Sequence, residues 1–332
     1  MTGSNLLSRS LVWDNHAAMP FRPHDQSFLP QLSRHKEAGF DVVMLNIGFG
    51  TQTIEEHIRL IANFRQWISV HGDQYVLIDT VADIERARST GRLAVGFNIE
   101  GANAIDDQPS LVQLYYDLGV RWMLLAYNRN SRAAGGCQDE DCGFTAFGKQ
   151  VVDEMERVGM VLCLSHTGER SVREMLDYAR NPVIFSHSNP RGAAAHPRNI
   201  SDEMMLACAR TGGVVGINGI GIFLGDNDIS SANFVRHIDY AVSLIGPQHV
   251  SLALDYAFDR AEVDAYVKKM AHTFPAGFGY DQGIGMLPPE QLPEIVDLLL
   301  ARGYADADVQ AILGGNLLRI ARQVWKPTRQ TV

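Results

Sequence analysis

The stretch GFTAFGKQVVDEMERVGMVLCLSHT (143–167) predicts a helix followed at once by a buried strand. In its first half, apolar residues recur at helical spacing, and Gly159 provides a C-terminal stop. The next run, MVLCLSH, is almost wholly apolar and ends in His166. Such runs are typical of parallel strands that are covered on both faces. Because this helix-and-strand unit recurs along the chain, it decides the fold class.

Eight apolar, β-rich runs are visible: LVWDNH (11–16), DVVMLNIG (41–48), LAVGFNIEG (93–101), WMLLAYN (122–128), MVLCLSH (160–166), PVIFSHS (182–188), GGVVGINGI (212–220) and HVSLALDY (249–256). Helical patterns follow most of them, for example SFLPQLSRHKEAG (27–39) and TIEEHIRLIANFRQWISVHG (53–72). Eight strands with helical crossovers predict an α/β fold, a TIM-type (β/α)8 barrel. An open doubly wound sheet is the alternative.

The tail adds two amphipathic helices, PPEQLPEIVDLLLARG (288–303) and DADVQAILGGNLLRIARQVW (306–325). No linker, low-complexity stretch or fixed repeat interrupts the chain. We therefore predict a single domain over residues 1–332, with additional C-terminal helices from about 288. The Gly-rich segment 275–286 lacks the Lys-Ser/Thr pair of a phosphate loop, so we expect a loop at the rim of the pocket.

The composition indicates a globular protein and excludes several classes of partner. Of 332 residues, 46% are hydrophobic and 20% are charged, and the net charge is −9. This balance argues against nucleic acid or an anionic membrane as partner.

The N-terminal residues resemble no signal peptide, and no apolar run is long enough to span a bilayer, so we expect a cytoplasmic location. We therefore expect the four cysteines to be free thiols, with a disulfide or a small metal site between Cys137 and Cys142 as the alternative.

Polar residues cluster where the apolar runs end, which in a barrel is the end that carries function. Asp14 and His16 end the first run, and the later runs end in Glu100, Tyr127-Asn128, His166, His187 and Asp255. Imidazoles and carboxylates are the ligands that zinc prefers. An aspartate on the last strand is suited to shuttle a proton.

His196, His237, His249 and His272 follow no pattern and are expected at the surface or at helix caps. The acidic loop GGCQDEDCGF (135–144) is expected to be solvated, at the border of the pocket.

The chain resembles the renal (membrane) dipeptidase family of zinc metallopeptidases, which have amidohydrolase-like barrels. The resemblance extends from about Asp14 to Gln323 and is most specific in NIEGAN (98–103), in the stretch 143–167, in PVIFSHSNPRGAAAHPRNISDEM (182–204) and in RGYADADVQAILGGNLLRI (302–320). The spacing of 21 residues between His166 and His187 also matches the family.

The resemblance implies a role for each matching position. Glu100 matches the glutamate that bridges two metals, and His166 and His187 match the histidines of the second metal. His16 matches the histidine of the first metal. Arg198 matches the arginine that holds the substrate's terminal carboxylate, for which its planar fork of donors is suited. Asp255 matches the aspartate that accepts and returns a proton. The resemblance also implies a homodimer.

Three positions depart from the family. Its first strand carries His-x-Asp, whereas this chain has alanine at position 18, which has no donor atom. A family histidine that contacts the scissile carbonyl is replaced by Tyr127, which is expected to donate to the developing oxyanion. The family's Asp-x-Asp on the last strand is also altered; Asp259 lies four residues after Asp255.

We therefore expect a metal-dependent dipeptidase that uses a metal-activated water, with Asp255 as proton shuttle. One zinc ion is expected to bind tightly to Glu100, His166 and His187, and the second site is weakened at Ala18. Two alternatives stay open: a hydrolase of another small amide, such as an N-acyl amino acid or a lactam, and a catalytically weakened barrel that binds a peptide-like ligand.

Overall fold

A computed structural model describes residues 3–50 and 52–327 of the chain. The predicted single domain also includes residues 1, 2, 51 and 328–332, which lie outside the described part, and it stays a prediction. Among the described residues, no helix combines the length and the apolar character that crossing a bilayer requires.

The strands are β1 (Trp13–Ala18), β2 (Val42–Phe49), β3 (Tyr75–Leu77), β4 (Leu93–Glu100), β5 (Val120–Leu124), β6 (Val161–Cys163), β7 (Ile184–Phe185), β8 (Val214–Asn218), β9 (Val250–Ala253) and β10 (Tyr256–Ala257). The helices are α1 (Gly3–Arg9), α2 (Ser33–Ala38), α3 (Ile54–Val70), α4 (Val81–Ser89), α5 (Leu111–Asp117), α6 (Ala146–Val158), α7 (Glu169–Tyr178), α8 (Asp202–Arg210), α9 (Gly221–Leu224), α10 (Ser231–Ile245), α11 (Arg260–Lys269), α12 (Leu292–Ala301), α13 (Asp306–Gln310) and α14 (Asn316–Val324).

The strands form a curled parallel sheet that confirms the predicted barrel. Their order is β10-β1-β2-β4-β5-β6-β7-β8-β9, and every pairing is parallel. The last predicted run pairs with β8 through β9 and, two residues later, with β1 through β10. The eight predicted runs therefore form a closed ring. The short strand β3, which the sequence analysis did not predict, pairs with the beginning of β4.

Two of the predicted runs give shorter strands than expected, because side chains replace their hydrogen-bond ladder. At the end of β7, the backbone N–H groups of Ser186 and His187 donate to Cys163 Sγ and to Ser165 Oγ. The regular pairing of β6 with β7 therefore stops before His166 and His187. These residues lie on loops that the strand ends hold in place.

The barrel interior is apolar at the end opposite these loops. Trp13, Met44, Trp122 and Ile184 pack there against Leu317, Ile320 and Val324 of α14. The predicted tail helix therefore closes the floor of the barrel. A larger apolar layer fills the space between the strands and the outer helices. Because both layers are buried, the strand ends have a rigid support.

Candidate metal centre

The predicted site residues meet at the carboxyl end of the barrel. His16 lies on β1, Glu100 ends β4, and Asp255 lies between β9 and β10. His166 and His187 follow β6 and β7. All but Asp255 are buried, and the side chain of Asp255 is 20% exposed. The structure thus brings together the five side chains that the sequence predicted.

Three of these side chains converge on one small volume. His187 Nε2 lies 3.0 Å and His166 Nε2 3.3 Å from Glu100 Oε1. The two imidazole nitrogens lie 2.9 Å from each other. The Nε2 atom of His16 is 3.7 Å from Glu100 Oε2, and its ring stacks on that of His187 at 4.1 Å. His16, Glu100 and His187 also offer ligand atoms within 4.8 Å of one another.

Neighbouring side chains favour the tautomers that metal binding needs. His187 Nδ1 lies 2.7 Å from Ser186 Oγ, and His166 Nδ1 lies 2.7 Å from Asn128 Oδ1. The same Nδ1 atom of His166 also lies 3.1 Å from Arg198 Nε. One nitrogen cannot both donate to the Asn128 amide and accept from the Arg198 guanidinium. The shorter contact, to an oxygen that can only accept, places the proton on Nδ1. The Nε2 lone pair of His166 then faces Glu100.

Burial keeps the two imidazoles neutral. It lowers the pKa of His166 well below the ordinary value, and the nearby Arg198 cation lowers it further. The pKa of His187 is lowered in the same way by burial and by the charges of His16 and Arg198. Neutral imidazole is the form that binds a metal.

Backbone geometry aims several of these side chains. Asn128, His166 and Asp255 have φ angles of 57°, 65° and 54°, in the left-handed region that side-chain-bearing residues rarely adopt. Each lies just beyond a strand end, where the chain turns out of the barrel. The fold therefore holds three site residues in a costly conformation, which is common at functional sites.

An unsatisfied polar atom at the centre fits a divalent cation. Glu100 Oε1 is buried and has no hydrogen-bond partner within the described chain. A buried carboxylate oxygen without a partner is costly, whereas a cation held with His166 and His187 would satisfy it. The residues present therefore fit a metal ion of the kind that nitrogen and oxygen ligands prefer.

Beside His16, where the resemblance to the family implies a first metal, the chain lacks a carboxylate ligand. Ala18 lines the cavity beside His16 and offers no ligand. Asp14 does not compensate, because its carboxylate accepts from the Leu254 N–H at 2.9 Å and lies 2.9 Å from His35 Nε2, away from the site. The second oxygen of Glu100 instead accepts a hydrogen bond of 2.7 Å from Asn46 Nδ2.

Asp255 and Tyr127 flank the centre. Asp255 Oδ1 lies 3.3 Å from His16 Nε2, and Oδ2 accepts a 2.8 Å hydrogen bond from Asn218 Nδ2. Burial raises the pKa of Asp255 to about 6. The ring of Tyr127 stacks on His166 at 4.2 Å, and burial raises the pKa of its hydroxyl well above the usual value. The hydroxyl therefore stays protonated and able to donate.

Arg198 lies behind His166. Its Nη2 donates to the His187 carbonyl at 2.8 Å and its Nη1 to Ser188 Oγ at 3.1 Å. It borders a second cavity, beneath the loop that contains Cys137, and does not line the cavity in front of Glu100. The carboxylate-binding role that the resemblance implies for Arg198 stays a prediction.

Asn46, Asn218, Ser186 and Asn128 contact the site residues, a role that the sequence did not predict for them. Each is a polar residue inside or at the end of an apolar run, and that pattern was a usable signal. Two other expectations were wrong. His196 and His237 are buried rather than at the surface or at helix caps. Both make hydrogen-bond contacts with backbone carbonyls, those of Phe278 and Leu224.

The loop 135–144 borders the second cavity, and its acidic run is more than a solvated surface. Asp141 accepts from the Ser171 N–H at 2.9 Å and thereby caps α7, while Asp139 pairs with Arg129. The two cysteines of this loop are free, as the first interpretation predicted, and so are Cys163 and Cys208.

The main cavity encloses about 880 Å³, counted out to its open mouth. The inner end of this cavity, toward the barrel, is lined by Glu100, the three histidines and Asp255. Its roof is α11 with the loop that follows, and Tyr280, Ile284 and Met286 from this loop line the cavity. The segment 275–286 is thus at the rim, as predicted.

Comparison with known proteins identifies the family. The model of the membrane dipeptidase family, peptidase family M19, matches residues 6–331. An uncharacterized protein of the pqqA 5' region of Klebsiella pneumoniae is 30% identical, over 80% of this chain and 95% of its own length. Dipeptidase 3 of Rattus norvegicus is 27% identical over 75% of this chain, which spans about half (49%) of that protein.

Among solved structures, an amidohydrolase from Pseudomonas aeruginosa superposes with a TM-score of 0.89, at 24% identity and over 98% of this chain and 99% of that one. At this identity the likeness shows a common fold. The match to the family model and the 30% identity to the Klebsiella protein show membership of the family as well. The chain therefore belongs to the membrane dipeptidase family, peptidase family M19, and is a metal-dependent hydrolase of peptide bonds.

Proposed function

We propose that this protein cleaves dipeptides or similar small amides with one tightly bound divalent ion, zinc, held by Glu100, His166 and His187. The convergence of His166 Nε2, His187 Nε2 and Glu100 Oε1 within 3.3 Å of one another carries this proposal. Three protein ligands are typical of catalytic zinc. His16 stands beside them as the remainder of the family's first site.

A zinc ion at this position would supply Lewis acidity and lower the pKa of water toward about 7. The remaining steps belong to the chain's own residues. Asn218 holds one oxygen of Asp255, while the other faces His16 and the cavity. A carboxylate with its pKa near 6 accepts a proton readily at neutral pH and returns it to a leaving amine.

Tyr127 is the proposed donor to the developing oxyanion. It lines the cavity, stacks on His166 and keeps its proton at neutral pH. Loss of one such donor costs about a hundred- to a thousandfold in kcat in well-studied enzymes. A neutral tyrosine in place of the family's histidine therefore predicts a slow enzyme.

The experiment that tests the proposal is a hydrolysis screen with zinc-loaded protein. A library of dipeptides and N-acyl amino acids is incubated with the protein, and the released amines are quantified. Hydrolysis of dipeptides that a chelator abolishes and zinc restores is the expected result. If protein with full metal occupancy cleaves none of them, the chain binds its ligand without hydrolysing it.

The cytoplasmic location and the homodimer stay predictions. Fractionation of the native cells and light scattering of the purified protein test them directly.

A further inference from the structure

The loop that follows α11 forms part of the wall of the main cavity. We call residues 270–286 the rim loop. Four of its side chains line the cavity: Phe274, Tyr280, Ile284 and Met286. The end of the loop is bound through its backbone, because Met286 forms a β-bridge with Ile220. The Gly221 N–H also donates to the Gly285 carbonyl at 2.8 Å. The position of Tyr280 therefore depends on how the earlier part of the loop is held.

The middle of the rim loop, residues 275–282, makes two hydrogen-bond contacts with the other residues that the structure describes. His196 Nε2 lies 3.1 Å from the Phe278 carbonyl oxygen. Gln138 Nε2 lies 3.5 Å from the Tyr280 hydroxyl oxygen, which is at the limit for a hydrogen bond. The contact with His196 is therefore the main polar interaction that holds this segment.

The backbone defines the tautomer of His196. Its Nδ1 lies 3.0 Å from the backbone nitrogen of Arg198, and a backbone N–H can only donate, so Nδ1 accepts. The proton of the neutral ring is then on Nε2, which donates to the Phe278 carbonyl. Burial and the nearby Arg198 cation lower the pKa of His196 and keep the ring neutral. One imidazole thus joins the segment that carries Arg198 to the rim loop.

His196 also supports the cavity wall from behind. It does not line the main cavity, but its ring packs on two residues that do, Phe223 at 4.8 Å and Tyr280 at 6.0 Å. The rings of Phe223 and Tyr280 lie 6.2 Å apart. Packing between aromatic rings favours particular relative orientations. A displaced rim loop would therefore move a wall residue, Tyr280, while Glu100 stays on its strand.

We infer that His196 is a positioning residue for substrate binding, because its Nε2–H holds the rim loop, and with it Tyr280, against the main cavity. The inference rests on the proposed function and adds to it a residue that contacts neither the metal ligands nor the cavity. Loss of the Nε2 donor leaves the Phe278 carbonyl without its partner and releases the middle of the loop. The wall is then less well placed, so KM is expected to rise more than kcat falls.

Two substitutions of similar shape separate the two contacts of the ring. His196→Gln keeps a donor for the Phe278 carbonyl, whereas His196→Asn keeps an acceptor for the Arg198 N–H and loses that donor. Steady-state kinetics of the zinc-loaded proteins use the dipeptide that the wild type cleaves fastest. His196→Asn is expected to raise KM about tenfold with kcat changed less than about threefold, and His196→Gln to keep KM within about threefold. Equal changes in the two variants, or the reverse order, overturn the inference.

Amide hydrogen exchange, followed by mass spectrometry of the same zinc-loaded proteins, tests the loop without turnover. Peptides from residues 272–282 are expected to exchange about tenfold faster in His196→Asn than in the wild type or in His196→Gln. His249→Asn is the matched control, because His249 is a half-buried histidine outside the cavity that contacts the Gly213 carbonyl at 2.8 Å. It is expected to match the wild type in exchange and in KM.

The two measurements distinguish failure of the inference from failure of the proposed function. Unchanged exchange in His196→Asn, with an active wild-type enzyme, overturns the inference alone. A wild-type protein that cleaves no dipeptide contradicts the proposed function and the expected change in KM, and the exchange of residues 272–282 still decides whether His196 holds the rim loop.

Discussion

Asn46 donates a 2.7 Å hydrogen bond from its side-chain amide to Glu100 Oε2, the oxygen that faces His16. The Gly48 N–H in turn donates to Asn46 Oδ1 at 2.8 Å and fixes the orientation of the amide. Because Ala18 offers no ligand beside His16, this amide satisfies the glutamate oxygen that faces His16. Glu100 is thereby left with one oxygen, Oε1, for the ion beside His166 and His187.

Asn46→Leu is expected to weaken zinc binding about ten- to a hundredfold, the usual cost of losing a residue that orients a ligand. Competition with a chromophoric chelator measures the dissociation constant. Asn316→Leu is the matched control, because Asn316 is a buried amide that donates to Pro247 and Val250 backbone oxygens outside the cavity. An equal loss of affinity in both variants would mean that the effect is one of general stability.

Ala18→Asp is expected to restore a second, weaker ion, because it returns a carboxylate to the cavity beside His16. Equilibrium dialysis at rising zinc concentration measures the number of ions per chain. Val263→Asp adds the same charge to the cavity lining from α11 and is expected to keep one ion. A second ion in both variants would show that added charge alone, rather than the position beside His16, recruits it.

Asp255→Asn is expected to lower kcat by about a hundred- to ten-thousandfold, because an amide cannot accept and return a proton. Its zinc content is expected to match that of the wild type. Steady-state kinetics and elemental analysis of the same preparation check both statements. Asp259→Asn is the control, since Asp259 lines the same cavity but pairs with Arg22. Loss of zinc together with activity in Asp255→Asn would instead make Asp255 a residue that orients His16.

The predictability of the fold depended on the length of each run. The long apolar strands and the helix that ends at Gly159 were readable, because periodicity and a left-handed C-terminal glycine are local signals. The strand Tyr75–Leu77 has only three residues, and α11 (Arg260–Lys269) has no buried residue. Neither left a pattern strong enough to predict.

The residues of the site were also predictable only in part. The side chains proposed to bind the metal lie within the strands near their carboxyl ends or just beyond them, so topology alone brought them together. Asn46 and Asn218 act through contacts between neighbouring strands, Asn46 with Glu100 and Asn218 with Asp255. These contacts depend on register and side-chain orientation, which sequence patterns do not define. Arg198 shows the reverse case, since its identity was readable but the direction of its guanidinium was not.

His237 is expected to make the protein less stable in acid. Burial lowers its pKa to about 4, from an ordinary value of 6.5. As pH falls below about 6.5, the unfolded chain takes up a proton that the native chain refuses until about pH 4, so stability is lost across this window. At pH 5 the loss is about 2 kcal/mol. Above pH 7 the group contributes no pH dependence.

His237→Gln keeps a donor for the Leu224 carbonyl but does not titrate. Urea unfolding at pH 7.5 and at pH 5 is expected to show a smaller loss of stability in this variant than in the wild type. His24→Gln, at an exposed position, is expected to behave as the wild type does. An unchanged difference between the two pH values in His237→Gln would contradict this assignment.

The zinc content of the wild-type protein shows whether the centre holds a single ion. The protein is stripped with a chelator, reconstituted with excess zinc and dialysed, and its zinc is then counted by elemental analysis against the protein concentration. A site held by Glu100, His166 and His187, with Asn46 in contact with the other glutamate oxygen, predicts about one ion per chain. Two tightly bound ions per chain, or none, would contradict it.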